Sequence, residues 1–454
     1  VLTDLTFLEK EKTWPPKSEI NRLQVYAEAE ALRAGQVNDI WPKLYKYLRD
    51  GTTAEQDFYL GFPFLITKKA IDTICGEPPG FGDIEDFIQT LNFRSVLREQ
   101  IADLDAFGDS VQKIYKNGDG EVQIESIEPC NWFPIVKRGT RKIEQHVLAF
   151  MFEEKEKCYL EIEIHSKKDI QHRIYELNTG IVNGKPVTIG DQLPWESFYT
   201  GLLENEPNPA GDFLITTAHN NRMSGQLFGQ SSYTPSLKSI LKKLIIRYSL
   251  ANNILDVFSR PTLVGPRNLE TYDPVTGKSM FRPGEYKGID FDPKVAPFIP
   301  QAVVWDGHLT EADLVTKALE EKLYIEAELP KAVLSMEATG VAASGVAWKL
   351  AMTPLLAKCA RIREEIDGPI RQSLGIALKL ANQNVDQISI TWQDGLPDIP
   401  TETAQEFNML ANSPAFQGEV GIIWLLQNKL NIPEDEAKQI AADPSRGGGL
   451  GMAI

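Results

Sequence analysis

The segment that most constrains this chain is Glu328 to Leu350. It opens on a break at Leu329-Pro330 and passes through Thr339, Gly340, Val341, Ala342, Ala343, Ser344 and Gly345 before entering a helical pattern. The middle of the segment has almost no side-chain bulk. A backbone of that kind can approach another backbone closely or border an open channel. Helical patterns flank it, one over 310–327 and one over roughly 345–383. The second is too long for the core of an ordinary small domain, so the fold must accommodate a long helix next to a thin loop.

The 454 residues suffice for more than one domain and a substantial core. A net charge of −16 argues against a surface that grips nucleic acid through basic residues, but not against a protein that DNA passes through. Cys75, Cys130, Cys158 and Cys359 are far apart and form no C-x-x-C pair, which fits a reducing compartment and no zinc ribbon. No apolar run approaches the ~20 residues that span a bilayer, so no membrane association is expected. The opening Val-Leu-Thr-Asp-Leu-Thr lacks the regions of a signal peptide, and the absence of Met at position 1 leads us to expect a longer gene product.

The first third reads as helical. Ile20, Leu23, Ala27 and Ala31 recur at helical spacing, and Phe64 to Pro79 is a helix stopped by Gly76 and sealed by Pro78-Pro79. A further helical stretch covers 82–105. The period then changes to two. Val122 and Ile124, then Val147, Ala149 and Met151, then Leu160, Ile162 and Ile164 alternate with polar residues. This predicts an antiparallel meander with one solvated face. Residues 236–258 form the clearest helix, with Leu237, Leu241, Leu244, Tyr248 and Leu255 on one stripe and a lysine-rich opposite side. A Pro- and Gly-punctuated stretch follows, with a turn at Asp273-Pro-Val-Thr-Gly277. Helix resumes at Thr310, with Leu314, Ala318, Leu319 and Ile325 marking its apolar side. Pro354 and Asp367-Gly-Pro369 predict bends in the long helix and an interruption at the second. Ile388 to Trp392 reads as one isolated strand, and short helices are expected at 401–412, 419–430 and 433–442. The fold class is α+β.

No nucleotide-binding or hydrolytic motif is present. Arg446-Gly-Gly-Gly-Leu-Gly451 is Gly-rich but carries no lysine and precedes no helix, so it reads as a terminus rather than a phosphate loop. His165 shares a strand face with Glu161 and Glu163, which offers a metal site or a solvated polar edge. The edge is favoured, because no second histidine stands at ligand spacing. The helix 310–328 holds Glu311, Asp313, Glu320, Glu321, Glu326 and Glu328 against Lys317 and Lys322, a balance of −4. No enzyme, cofactor or metal is expected.

The order of these pieces resembles the portal proteins of long-tailed, siphophage-type bacteriophages, along nearly the whole chain. Leu65 to Pro79 resembles the family's early helix with its Gly-Glu-Pro ending. Val122 to Pro134 is similar to the first wing strand and the proline-bounded turn after it. Phe228-Gly-Gln-Ser-Ser-Tyr233 resembles the Gly-x-Ser lead-in to the first stem helix. Leu329-Pro330 and Ser344-Gly345-Val-Ala-Trp-Lys349 resemble the tunnel-loop lead-in and the start of the long helix. Ile388 to Pro400 resembles the strand and Leu-Pro turn that return to the wing.

The resemblance implies a wing over 1–229, a first stem helix over 230–259, a clip over 260–308 and a second stem helix over 309–329. It further implies a tunnel loop at 330–345, a long bent helix and wing return strand over 346–400, and a crown region over 401–454, which is short here. It implies a homo-oligomeric ring, usually of twelve subunits, at one capsid vertex of the virion, assembled in the host cytoplasm. Such a ring is the channel for double-stranded DNA in packaging and ejection. It docks the terminase large subunit, the major capsid and scaffolding proteins and a head–tail adaptor. On this assignment Thr339 to Gly345 lie nearest the DNA, and the six carboxylates of 310–328 form an acidic channel wall. Tyr272, Asp273, Gly277 and Lys278 face the terminase. The alternatives are a capsid or adaptor subunit without a channel, or a DNA-processing enzyme with no recognisable motif.

Overall fold

In the computed structural model, residues 1–44, 61–178, 187–199, 201–258, 262–266, 286–289, 301–303, 309–330, 345–383, 387–393 and 419–430 are described, with 410, 413 and 438 as single positions. The chain is α+β and divides into two compact units. The first joins Val1–Lys331 with Ala357–Gln393, and the second joins Ala332–Leu356 with Asp394–Ile454.

The first unit begins with β1 (Thr13–Trp14), α1 (Ile20–Arg33) and α2 (Val37–Ile40). Then come α3 (Phe62–Cys75), α4 (Glu85–Thr90) and α5 (Phe93–Phe107). Strands β2 (Asp109–Lys116), β3 (Val122–Ile127), β4 (Trp132–Val136) and β5 (Ile143–Glu154) follow. The meander continues with β6 (Lys157–His165), β7 (Asp169–Leu177) and β8 (Val187–Leu193), then β9 (Asn205–Pro207) and β10 (Ile215–His219). Helix α6 (Pro235–Phe258) leads into β11 (Thr262–Pro266), β12 (Tyr286–Ile289) and β13 (Gln301–Val303), and α7 (Leu309–Glu326) comes after them. Two more helices are α8 (Gly345–Leu380), which runs through both units, and α9 (Glu419–Leu430).

Helices α1, α3 and α5 pack on one another because each presents a stripe at helical spacing. In α3 the stripe is Ile66, Ala70 and Ile74; in α5 it is Phe93, Leu97, Ile101 and Leu104, all buried. The main sheet has the order β1-β8-β7-β6-β5-β4, with β9 on the edge of β7 that β8 leaves uncovered. Strands β5 and β6 belong to the predicted meander, whereas the predicted strand at Val122 and Ile124 is β3 of a different sheet, and β4 and β8 were not expected. The N-terminal arm was not expected in the main sheet either: Thr13 and Trp14 pair with β8, and Leu2 bridges to Ile135.

The predicted solvated face is a correction. Alternate residues of β5 enter two different cores. Val147 and Ala149 join Phe7, Trp14, Ile162 and Ile189 on one face, while Leu148 joins Val111, Trp132 and Ile215 on the other. A second antiparallel sheet, β10-β2-β3, supplies that other core. Two-residue periodicity marks a strand, but it does not reveal whether a second layer covers the polar side.

Helix α8 is continuous through Pro354 and Pro369, against the expected interruption. Cys359, Ile362, Ile366, Ile370, Ser373 and Ala377 form an unbroken buried stripe across Asp367-Gly-Pro369. Glu365 and Gly368 lie on the exposed side, so the hydrogen bond that Pro369 forfeits falls there while packing holds the helix. The isolated strand at 388–392 is also corrected. It reduces to one antiparallel bridge, Gly80 to Thr391, with the indole N–H of Trp392 donating to Asp367 at 3.0 Å. In the second unit, Met352 and Leu355 of α8 and Leu425 and Leu426 of α9 are buried. The helices expected at 401–412 and 433–442 fall almost wholly outside the described residues.

Candidate functional site: a helix pair and its buried footing

The site is built from the lead-in Phe228 to Thr234. A Cβ on Gly229 would stand 2.0 Å from the carbonyl oxygen of Gly108, and one on Gly108, whose φ is +89°, would meet the backbone of Gln230 at 2.4 Å. Two glycines therefore let two chain segments touch backbone to backbone. Gly108 also ends α5, where its N–H donates to the carbonyl of Leu104. After Gly229 the hydroxyl groups of the lead-in are tied down. The hydroxyl of Ser231 donates to the carbonyl of Ala106, that of Ser232 to Asp105 at 2.6 Å, and that of Tyr233 to the carbonyl of Pro63 at 2.9 Å.

Two fully buried carboxylates anchor this footing. Asp105 faces the ammonium of Lys358 on α8 at 2.7 Å and accepts the hydroxyl of Thr67 at 2.7 Å. Burial alone would push its carboxyl up, but Lys358, Ser232 and Thr67 offset that and hold it below the ordinary value. Asp109 accepts from the Tyr26 hydroxyl and from the Gly229 N–H at 2.9 Å, and its other close partner is Nδ1 of His219. Burial, reinforced by Asp109, raises the Tyr26 hydroxyl well above its ordinary value. The Arg22 guanidinium completes the footing. It pairs with Glu19, donates to the carbonyls of Pro129 and Trp132, and lies 4.5 Å from the ring centre of Phe228.

Helix α6 starts from this base. Thr234 caps it: its hydroxyl accepts the N–H of Leu237 at 3.1 Å and donates to Glu326 of α7 at 3.1 Å, with Pro235 in the first helical position. Further along, the Tyr248 hydroxyl donates to Glu320. Thr234 with Glu326 and Tyr248 with Glu320 show that α6 and α7 run antiparallel. Helix α7 ends in a Schellman turn: Glu328 has φ +56°, and the N–H of Leu329 reaches the carbonyl of Tyr324 at 2.9 Å. Glu328 also meets Arg361 of α8 at 2.6 Å. Between the far ends of the pair lies the small sheet β12-β11-β13, parallel on one side of β11 and antiparallel on the other.

The predicted acidic residues divide by this geometry. Glu320 and Glu326 hold α7 to α6, and Glu328 ties the end of α7 to α8. Asp313 pairs with Lys317 at 2.7 Å, and Glu321 is exposed. The side chain of Glu311 is not among those described. Gly345 is the first residue of α8. Thr339, Gly340, Val341, Ala342, Ala343 and Ser344 lie outside the described residues, as do Tyr272, Asp273, Gly277 and Lys278.

The apolar side of α7 also differs from expectation. Its buried stripe is Leu323 and Ala327, with Leu319 half-buried. Leu314 and Ile325 point the opposite way and are 62% and 76% exposed, with Val315 and Ala318 also exposed. The helix thus carries two apolar stripes and buries one.

Sequence reasoning missed Asp105, Asp109, His219 and Lys358. One signal was available: Leu104-Asp-Ala-Phe-Gly-Asp109 sets two carboxylates inside an apolar helix end, where burial demands partners. His165 and Glu163 form neither a solvated edge nor a metal site. Both are buried, and Glu163 meets Lys113 at 2.6 Å and Nε2 of His165 at 3.0 Å. Burial pushes the Glu163 carboxyl up, but these partners outweigh it and bring it down to about 2. Among the described residues no three His, Cys, Asp or Glu side chains are placed to hold a metal ion, and no helix is long and apolar enough to cross a membrane. All four cysteines are free thiols.

No protein-family model and no curated protein matches the sequence. Chains of gene transfer agent particles are among the solved structures that match. A chain from the neck of the native particle, solved with C12 symmetry, is 10% identical, with a TM-score of 0.44 over 80% of this chain and 89% of that one. A chain of the native virion is 10% identical, with a TM-score of 0.48 over 92% of this chain and 96% of that one. A chain from the neck of the empty particle, solved with C6 symmetry, is 11% identical, with a TM-score of 0.48 over 91% and 94%.

Proposed function

We propose that this chain is a portal-type structural subunit of a phage-like particle. Copies of it close into a ring, and the ring is a passage for double-stranded DNA. The observation that carries the reading is the second apolar stripe of α7. Leu314, Ala318 and Ile325 are turned away from α6 in one subunit, and a ring of copies gives each subunit a neighbour to cover them. The order of sequence segments that resembles the portal family supports the same reading. So does the insertion of a small sheet between two antiparallel helices that rise from a rigid footing. In this reading α6 and α7 are the stem, 260–308 is the clip that meets the terminase, and 330–345 is the loop nearest the DNA. The chain itself hydrolyses nothing, and a separate ATPase drives packaging.

The acidic balance of 310–328 takes a specific form here. Glu320 and Glu326 hold the stem together, so the charge presented to passing phosphates comes from the rest of the α7 surface. Such charge repels DNA and prevents sticking over about 8 Å, the Debye length at physiological salt. Native mass spectrometry of the full chain tests the ring: a single species at a fixed multiple of 50.8 kDa is expected, with an axial hole in electron micrographs. A monodisperse monomer at high concentration overturns the reading. For the clip, deletion of Tyr272 to Lys278 is expected to spare the ring and abolish terminase docking.

A further inference from the structure

A cavity of about 230 Å³ opens in the first unit, away from the helix pair, among β2, β6, β7 and the stretch from Trp195 to Glu206. Its wall is a ladder of rings. His172 stacks on Trp195 with centroids 4.9 Å apart, and Trp195 meets Tyr199 at 4.3 Å. Glu161 and Glu206 also line it. Glu161 accepts the Tyr199 hydroxyl at 2.8 Å, but among the described residues no cation forms an ion pair with either carboxylate. Lys113 is already committed to Glu163, and Lys116 alone of the lining cations stands unpaired. Burial raises the Glu161 carboxyl above its ordinary value, the condition of an anion short of a counter-charge.

Three lining rings, those of His165, His172 and Trp195, carry a buried nitrogen without a partner, and two of these residues are deeply buried. His165 is 1% exposed and Trp195 is 4% exposed, and neither Nδ1 of His165 nor Nε1 of Trp195 has a hydrogen-bond partner. Nε2 of His165 sits against a carboxylate, which needs a donor, so in the neutral ring Nδ1 is an acceptor. Glu161 and Glu206 offer places for donors, and the lining holds three buried ring nitrogens without a partner, Nδ1 of His165, Nδ1 of His172 and Nε1 of Trp195, the last of which needs an acceptor.

We propose that this cavity receives the side chain of an arginine carried by a partner protein. A guanidinium is planar and positively charged, with five N–H donors, so it can stack on the ring ladder while it donates to the carboxylates and to His165. It has no acceptor for the indole N–H of Trp195. The backbone carbonyl beside an arginine side chain supplies one, which favours a polypeptide over a free cation. Leu202 and Leu203, 55% and 63% exposed at the mouth, are the surface on which apolar residues flanking that arginine would rest. This inference does not depend on the ring.

The probe is N-acetyl-arginine methylamide, titrated into the purified full chain. The readout is the indole N–H resonance of Trp195, assigned by its loss in Trp195→Phe. A saturable shift is expected, and the neutral isostere N-acetyl-citrulline methylamide should bind at least about tenfold more weakly, because charge-assisted bonds are lost. Glu161→Gln should weaken the arginine probe by a similar factor. That variant retains an oxygen for the Tyr199 hydroxyl, and Glu206→Gln is the second test should it fail to fold. No saturable shift, equal binding of the two probes, or undiminished binding in folded carboxylate variants would each overturn the proposal.

Discussion

The footing beneath α6 and the outer side of α7 depart from the usual burial pattern in opposite ways, one burying charge and the other exposing apolar side chains. In the footing, Asp105, Asp109 and Lys358 are buried and the side chain of Arg22 is largely covered; the carboxylates and Arg22 each have several partners, and Lys358 pairs with Asp105. On α7, apolar Leu314 and Ile325 are exposed while Leu323 is buried on the other side. The footing is complete within one chain. The outer stripe of α7 leaves apolar area in water, about 25 cal/mol forgone per Å². The difference separates what folding accomplishes from what remains for assembly, and each of the following predictions tests one side of it.

The largest effect is expected at Lys358. Lys358→Met removes the cation and leaves Asp105 as a buried, uncompensated charge, which costs about 3–5 kcal/mol. Urea unfolding of the subunit measures it. The double variant Lys358→Met with Asp105→Asn should recover part of the loss, since no charge is then stranded. A loss under about 1 kcal/mol in the single variant would show that the footing is wet and would erase the contrast with α7.

Gly229→Ala comes next. The added methyl meets the Gly108 carbonyl at 2.0 Å with backbone on both sides, so neither segment can yield cheaply. A loss of about 2–3 kcal/mol is expected from overpacking, together with looser α6 protection in hydrogen exchange. Gly211→Ala, with nothing within 4 Å of the new methyl but a φ of +66°, should cost less.

Much of this molecule was legible in the sequence because its signals are local. Helices α3, α6 and α7 and strands β3, β5 and β6 follow from spacing alone. The Phe228 to Tyr233 lead-in was noticed as a motif, yet its glycine and serines act through Gly108, Ala106 and Asp105, more than a hundred positions away. No local pattern reports such contacts. The same holds for the covered face of β5 and for α8 surviving Pro369, where tertiary packing overrides a local rule. The two stripes of α7 were merged into one, because periodicity gives the angle of a stripe but not which stripe meets the core.

A smaller effect comes from two groups that titrate in opposite senses. His146 accepts the Trp132 indole N–H in a buried site, where burial, then His165 and His219, bring its pKa from 6.5 to about 3. Asp103 is carried by burial from 3.8 to about 7, against the pull of Arg33. Between pH 6.5 and 4 the unfolded chain holds the extra proton at position 146, and the folded chain holds it at position 103. Each slope is about 1.4 kcal/mol per pH unit, of opposite sign, so they nearly cancel. Unfolding midpoints at pH 6.5, 5.5 and 4.5 should expose each in turn. In His146→Gln the Asp103 slope remains, and the protein gains stability on acidification relative to the parent. In Asp103→Asn the His146 slope remains, and it loses stability. Parallel profiles for parent and both variants would show that these sites are not buried as described.

The smallest effect on the subunit, and the one that bears most on function, is expected on α7. Ile325 is 76% exposed and Leu314 is 62% exposed, so replacing both with serine removes little that one chain buries. Subunit stability should change by no more than about 0.5 kcal/mol, as for other surface substitutions. The effect should appear only when copies meet. If the outer stripe is covered by a neighbour, the two serines remove two buried apolar side chains from every interface, each worth about 1.5–3 kcal/mol when fully buried. A closed ring repeats that loss at each junction, so assembly should fail although the subunit is sound. Sedimentation of the double variant beside Leu323→Ser separates the cases. Leu323 is 1% exposed, and its replacement should destabilise the subunit itself. If the outer variant assembles as well as the parent, the exposed stripe of α7 is not the ring contact, and the contrast between footing and helix loses its functional meaning.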